Sequence, residues 1–390
     1  MRQKILLATT VNWPSAARLA GAFSLLGAGV EAVFPRGHVL RRSRYLERAH
    51  RYRPLQPLSS MAHAIAAAAP DLVVPCDDRA LSLLLALKQF EPLLTRSLGP
   101  LASHAVLAAR APSIAAAREE GIAAPLTLAV PGLDALPGAL AEAGLPCVMK
   151  VDGSWGGMGV KFVHTQTEAE AAFRLLQGPT SRWRSLARAV LRRDAHFIGE
   201  ALAPRQALVN VQALVPGSPA TSVFACRDGA VLASLHMDVV DWAGNTGPAA
   251  RMRRAADPQM EEAARKIAAR FRLGGFIGLD FMRDGGGTPH LIEVNPRATQ
   301  ICHLVLEDDL PAALLGVPPR PAATGLQEIA LFPQLLAQPR SASVYEDMPW
   351  DDPDVLRAYT GETTDLLPEL TGAGGLAPVL GQKVYGPRPR

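Results

Sequence analysis

The sequence has little of what marks the specialised classes of chain. Charged residues make up only 19% of its 390 positions, and Lys plus Arg exceed Asp plus Glu by only 40 to 36. Charge-driven disorder is therefore excluded, and a net charge of +4 does not by itself require nucleic acid. The four cysteines, Cys76, Cys147, Cys226 and Cys302, lie far apart with no C-x-x-C pair. That spacing supports neither a disulfide framework nor a zinc ribbon and fits a reducing cytoplasm. No apolar run reaches the roughly 18 residues of a membrane span. The first ten residues break at Thr9-Thr10 without a secretory cleavage pattern. No G-x-G-x-x-G follows the first apolar run and no internal repeat is present, which argues against a dinucleotide fold and a solenoid.

What is present is 48% hydrophobic residues in short runs punctuated by 33 glycines and 33 prolines, enough for two or three domains. Lys4–Thr9, Val30–Phe34 and Asp71–Pro75 read as buried strands, with helices from Pro14 to Leu26 and from Asp78 to Lys88. About residues 1–95 thus form a parallel α/β unit. Residues 98–120 read as helical up to Gly121. Strands are expected at Cys147–Val151, Val160–His164, Ala207–Val215, Thr221–Arg227 and Ala230–Val240. Pro216-Gly217 and Asp228-Gly229 read as turns between antiparallel neighbours, and Thr167-x-x-Glu170 as a capping box. Met260–Phe271 is an amphipathic helix, and residues 311–390 read as a proline-rich, irregular segment. The fold class is α/β, a parallel N-terminal domain followed by a domain with antiparallel sheets.

The sharpest chemical signal is Phe276-Ile-Gly-Leu-Asp-Phe281 and His290-Leu-Ile-Glu-Val-Asn295, two strands around the glycine-rich turn 283–289. A hairpin symmetric about those glycines sets Asp280 opposite Glu293, with Asn295 on the same face. Two acids paired among apolar residues repel each other unless a cation lies between them. An all-oxygen set of this kind suits Mg²⁺ or Mn²⁺. The bland alternative is an exposed hairpin, with the pair separated by a one-residue bulge. Arg297, just past Pro296, is expected to point its guanidinium at the same site, suited to a phosphate or carboxylate; an ordinary ion pair is its alternative. Upstream, Lys150 precedes Asp-Gly153-Ser154-Trp-Gly156-Gly157-Met-Gly159, a glycine-rich loop between two strands. Backbone N–H groups in such a loop can fold over phosphate oxygens while Lys150 supplies a point charge.

These residues resemble the ATP-grasp enzymes, over about residues 1–310 and through Leu-Ile-Glu293-Val-Asn295-Pro-Arg297. The resemblance implies a pre-ATP-grasp domain at 1–95, a two-lobed ATP-grasp domain at 96–310 with a small lobe near 145–215, and the segment 311–390. It implies ATP and Mg²⁺ (or Mn²⁺) as cofactors. Lys150 would hold the α- and β-phosphates, Gly153 to Gly159 would close over the β- and γ-phosphates, and Asp280, Glu293 and Asn295 would ligate two metal ions. Gln212, Ala213 and Leu214 would form the adenine hinge, and Arg110 stands where relatives carry a second phosphate-binding lysine. Arginine at 110 keeps the charge with a different geometry, and Pro216-Gly217-Ser218-Pro219 lacks the acid that many members turn to the ribose.

The implied activity is that of a C–N ligase that activates a carboxylate as an acyl phosphate, with Lys150 and Arg297 neutralising charge as the phosphoryl group moves, before an amine attacks. Its partners would be a small-molecule carboxylate and an amine, with neither nucleic acid nor a membrane expected and a homo-oligomer left open. A phosphotransferase on the same scaffold and a non-catalytic nucleotide- or RNA-binding protein are the rival readings. The arginine runs Arg36–Arg53 and Arg182–Arg193 read first as solvated faces, and His303 and His236 as structural histidines.

Overall fold

Lys4–Ala8 (β1) is apolar on both sides because it lies inside a parallel sheet. The sheet runs β3-β2-β1-β4, with Gly29–Phe34 (β2), Arg48–Arg51 (β3) and Leu72–Pro75 (β4). The structure is a computed structural model that describes residues 2–152, 159–177, 208–242, 247–322, 325–337 and 344–360. Alanine-rich Ser15–Leu25 (α1) packs on one face of this sheet. Pro57–Ala68 (α2) and Asp78–Leu85 (α3) pack on the other. Glu91–Leu98 (α4), Ser103–Leu107 (α5) and Arg110–Glu119 (α6) lead onward, so the helical stretch expected over 98–120 is divided between two helices.

Two antiparallel arrays follow. The smaller, β5-β8-β6-β7, is built from Thr127–Val130 (β5), Cys147–Val151 (β6), Val160–Val163 (β7) and Val209–Ala213 (β8). Leu136–Ala143 (α7) and Gln166–Gln177 (α8) cover it. The larger has the order β13-β12-β9-β10-β11-β14-β15. Its strands are Ser218–Arg227 (β9), Ala230–Trp242 (β10), Ala249–Arg254 (β11), Gly275–Arg283 (β12), Pro289–Asn295 (β13), Glu328–Leu331 (β14) and Tyr345–Asp347 (β15). One face packs against α6 and Pro258–Phe271 (α9). The other shares a core with α1 and the parallel sheet, where the Phe23 and Phe276 rings lie 6.0 Å apart. The α/β class expected from sequence is the class observed.

Three local expectations change. Pro216-Gly217 does not join antiparallel neighbours: β8 belongs to the small sheet and β9 to the large one, so the turn carries the chain between sheets. A side chain at Gly217 would collide with the backbone of Arg283, which explains glycine at that crossing. The α8 cap lies two residues earlier than expected. Thr165 Oγ1 accepts from Glu168 N–H at 3.2 Å, and Glu168 Oε2 accepts from His164 N–H at 2.8 Å. Finally, the segment after 310 is not irregular throughout. It contributes Leu310–Leu315 (α10), β14, β15 and Pro353–Thr360 (α11), and β14 pairs with β11 in the large sheet.

His38 illustrates how the fold depends on a neutral buried group. Its Nδ1 accepts from Leu40 N–H at 3.0 Å, and burial lowers its pKa to about 4 despite nearby carbonyls of Val11 and Trp13. A histidine depressed in the folded state stabilises fully above its ordinary value of 6.5, and the contribution fades as pH falls toward 4. Across that window the advantage of wild type over His38→Phe should shrink by about 1.4 kcal/mol per pH unit. Urea denaturation of both proteins at several pH values checks this, and a constant difference would contradict it.

Candidate functional site

The site forms where the β12–β13 hairpin meets β6, α6 and α3. Near its turn the hairpin pairs Arg283 with Pro289, Met282 with His290 and Phe281 with Leu291. Continued without interruption, that register would set Asp280 against Ile292 and send Glu293 to the opposite face. Instead the ladder shifts by one residue, and Asp280 pairs with Glu293, Leu279 with Val294 and Gly278 with Asn295. The extra residue is Ile292, a β-bulge. The bulge, expected from sequence to be the feature that would separate the two acids, is what aligns them. The Ile292 carbonyl accepts from Gln212 Nε2 at 3.3 Å, tying the bulge to β8.

Above this pair sit two cations. Lys150 on β6 is buried, its strand partner being Asn210 on β8. Burial lowers its pKa to about 8, with Arg110 acting in the same direction and Glu293 and Asp280 against it. Arg110 opens α6 and is 8% exposed. Its Nη2 lies 3.0 Å from Glu293 Oε1, and its Nε lies 3.8 Å from Asp152 Oδ1. The same Asp152 oxygen accepts from Arg110 N–H at 3.3 Å and from Asn210 Nδ2 at 2.9 Å. Burial opposes the Arg110 charge, but Glu293 and Asp152 outweigh it. Burial and the adjacent Glu293 carboxylate push Asp280 up to about 6, although Thr221 Oγ1 donates to its Oδ1 at 2.9 Å.

Arg297 departs from its expected aim. Its guanidinium is held by the Asp78 carboxylate at the start of α3, Nε to Oδ1 at 2.7 Å and Nη2 to Oδ2 at 2.9 Å. It also donates to Asn295 Oδ1 at 3.0 Å, while Asn295 Nδ2 donates to Asp280 Oδ2 at 2.9 Å. So Arg297 reaches the metal-ligand candidates through Asn295, and its fork is taken up by a bidentate ion pair with the N-terminal unit. Next to Asp78, Asp77 accepts from Thr9 Oγ1, Thr10 N–H, Thr10 Oγ1 and Ala80 N–H, locking the loop after β1 to the start of α3.

The other expected residues divide. The Gln212 amide faces inward and donates to Thr127 Oγ1 at 2.9 Å as well as to Ile292, so both its N–H groups are used within the fold. Ala213 N–H bonds the Leu126 carbonyl, and Leu214 is half-buried on the link between the two sheets. The Gly159 carbonyl accepts from Val151 N–H. Gly153, Ser154, Gly156, Gly157 and the arginine run 182–193 lie outside the described residues. Arg36, Arg41, Arg42, Arg44, Arg48, Arg51 and Arg53 are all exposed. His303 is buried with Nε2 about equidistant from both Asp347 oxygens, 3.1 and 3.0 Å, and His236 bridges Ser222 and Glu261; both are structural. Sequence reasoning misses Asp152, Asn210 and Asp78. Asn210 and Gln212 carry a signal, polar groups at alternate positions of an otherwise apolar strand.

The donor set fits a divalent cation and phosphates. Lys150, Arg110 and Arg297 lie among five partly buried carboxylates, Asp77, Asp78, Asp152, Asp280 and Glu293, so acids outnumber cations around the site. Among the described residues no three His, Cys, Asp or Glu side chains come together, so the third oxygen donor beside Asp280 and Glu293 is the Asn295 amide. Arg110 has the complementary need: its Nε and Nη1 are buried without a hydrogen-bond acceptor. Orphaned guanidinium donors of this kind suit an anionic oxygen.

Residues 192–300 match the family described as ATP-grasp domain. That stretch carries the sequence pattern of an ATP-grasp domain. Its fold is similar to that of N5-carboxyaminoimidazole ribonucleotide synthetase from Thermus thermophilus, with a TM-score of 0.58 at 17% identity over 81% of this chain and 79% of that one. It is also similar to N5-carboxyaminoimidazole synthase from Aspergillus clavatus, solved with ADP and 5-aminoimidazole ribonucleotide, with a TM-score of 0.59 at 14% identity over 82% and 78%. Biotin carboxylase from Campylobacter jejuni, solved as a β,γ-ATP complex, gives a TM-score of 0.58 at 14% identity over 83% and 72%. At these identities the likeness is one of fold. No curated protein matches the chain in sequence.

The Asp78–Arg297 clamp joins the hairpin to the parallel sheet of the N-terminal unit. Asp78→Ala should therefore destabilise the protein by about 1–3 kcal/mol, because it leaves a charged guanidinium without its bidentate partner. Asp78→Asn should cost less, since one hydrogen bond survives. Chemical denaturation measures both, and equal stability of all three proteins would show that the clamp contributes nothing.

Proposed function

We propose that this chain is an ATP-dependent ligase that activates a carboxylate as an acyl phosphate and joins it to an amine, releasing ADP and phosphate. The observation that carries this reading is the alignment of Asp280 with Glu293 beneath buried Lys150 and Arg110, whose guanidinium keeps two N–H-bearing nitrogens without acceptors. Asp280, Glu293 and Asn295 would hold Mg²⁺, which when bound offsets the negative charge of the phosphates. Lys150 and Arg110 would donate to phosphate oxygens from the opposite side. Arg297 orients Asn295 from behind, with its own position fixed by Asp78. A substrate carboxylate oxygen attacks the γ-phosphorus and ADP leaves. The amine nitrogen then attacks the acyl carbon, phosphate leaves, and the C–N bond remains. The chemistry depends on positioning and charge and needs no nucleophilic side chain. The similar folds of biotin carboxylase and of the carboxyaminoimidazole ribonucleotide synthetase agree with this reading. Among the described residues no helix is long and apolar enough to cross a membrane.

Two measurements test the proposal. Glu293→Gln or Asp280→Asn should lower Mg²⁺-dependent ATP turnover by about a hundredfold or more with the fold intact, since each removes a charged metal ligand. Near-normal turnover would contradict the metal assignment. Hydroxylamine added with ATP across a panel of small carboxylic acids should trap a hydroxamate. A stable phosphoester instead would select the phosphotransferase.

A further inference from the structure

Glu293, one of the two carboxylates assigned above to a metal, is already paired with Arg110 Nη2 at 3.0 Å. Arg110 is held from its other end by Asp152, which accepts from its backbone N–H, lies 3.8 Å from its Nε, beyond hydrogen-bond reach, and is itself fixed by Asn210. The guanidinium thus bridges a carboxylate on β13 of the large sheet and one at the end of β6 of the small sheet. Its remaining donors are buried and unmatched. Asn295 shows the same pattern more weakly, its Oδ1 being engaged by Arg297. In this arrangement a cationic side chain stands where a metal would neutralise Glu293, while that same side chain lacks acceptors that a phosphate would supply.

We propose that Arg110 is a placeholder cation, so that metal and nucleotide bind together and neither binds well alone. A metal arriving by itself must displace Arg110 from Glu293 and leave a buried guanidinium short of acceptors. A nucleotide arriving by itself sets its phosphate charge beside Glu293 and Asp280, and any movement of Arg110 toward it weakens the ion pair that offsets the half-buried Glu293 carboxylate. Arriving together they exchange partners: the metal takes Glu293 and the phosphates take Arg110. Asp152 is the positioning residue that keeps Arg110 in reach during the exchange. The inference rests on the function proposed above, but its test needs no substrate and no turnover.

The test is titration of the full chain with Mn²⁺ in the absence of nucleotide, by calorimetry or electron paramagnetic resonance. Arg110→Met should bind Mn²⁺ about tenfold more tightly than wild type, because the competing charge is gone, and should bind metal-free ADP about tenfold more weakly. ADP should strengthen Mn²⁺ binding in wild type, and this enhancement should shrink in Arg110→Met. Arg110→Lys keeps the charge, cannot span both carboxylates, and should fall between the two. Adding Glu293→Gln to Arg110→Met should abolish the gain, which locates it at that carboxylate. Circular dichroism shows whether Arg110→Met folds; if it does not, the intermediate behaviour of Arg110→Lys decides. Mn²⁺ affinity equal to or below that of wild type in the folded variant overturns the inference. A wild type that binds no ADP even with Mn²⁺ present overturns the ligase reading, while a Mn²⁺ gain in Arg110→Met would still support the placeholder.

Discussion

One extra residue, Ile292, decides which side chain faces Asp280. On the turn side of the bulge the hairpin pairs in a register that would match Asp280 with an isoleucine, and on the far side it matches Asp280 with Glu293 and brings Asn295 within hydrogen-bond distance. Because side chains alternate faces along a strand, a slip of one residue there exchanges the whole polar set for the apolar one. The bulge is in turn held by Gln212, whose amide reaches it from the small sheet. The acid pair therefore depends on contact between two sheets, and the small sheet contributes to the site even through a residue that carries no charge.

Gathering like charges in that way is unfavourable, and the rest of the architecture can be understood as the means of offsetting it. Asp280 responds by moving up toward a neutral carboxyl, while burial, with Arg110, moves Lys150 down toward a neutral amine against the pull of the two acids. The arginines cannot respond by titrating, so they are anchored instead: Arg297 by Asp78 and Arg110 by Asp152 and Glu293. Each anchor comes from a different layer, so the ionic contacts that make the buried charges tolerable also fix the parallel sheet, the small sheet and the hairpin around one point. The shared core of α1, the parallel sheet and the large sheet supplies the apolar counterpart of that connection.

How much of this was legible in the sequence follows from how local each feature is. The hairpin and its acids are encoded within about twenty residues, by alternation on either side of a glycine-rich turn, and the Lys150 strand by a comparable run. The partners of Arg297 and Arg110 lie far along the chain: Asp78 is 219 positions from Arg297, and no spacing rule connects them. Pro216-Gly217 carries the same turn chemistry whether the chain folds back in one sheet or crosses to another, so only tertiary structure tells the two apart. β14 and β15 are four and three residues long in a proline-rich stretch, too short for a period to register. β14 becomes a strand because the edge of β11 is there to pair with, and β15 in turn pairs with β14.

The choice of arginine at 110 is where these considerations meet. A lysine ammonium is a single point of charge and could neutralise Glu293 or approach Asp152, but it has no rigid fork with which to meet carboxylates on two sides. The guanidinium has donors fixed in a plane, and in this structure one edge meets Glu293, another approaches Asp152, and Nη1 is left without an acceptor. Leaving a buried donor unmatched costs free energy. That cost is relieved by an anion, and the Glu293 carboxylate thereby released requires a cation. The same geometry that holds the site together thus leaves it incomplete in two complementary ways, which is the physical basis for a site that is completed by a phosphate and a metal ion at once.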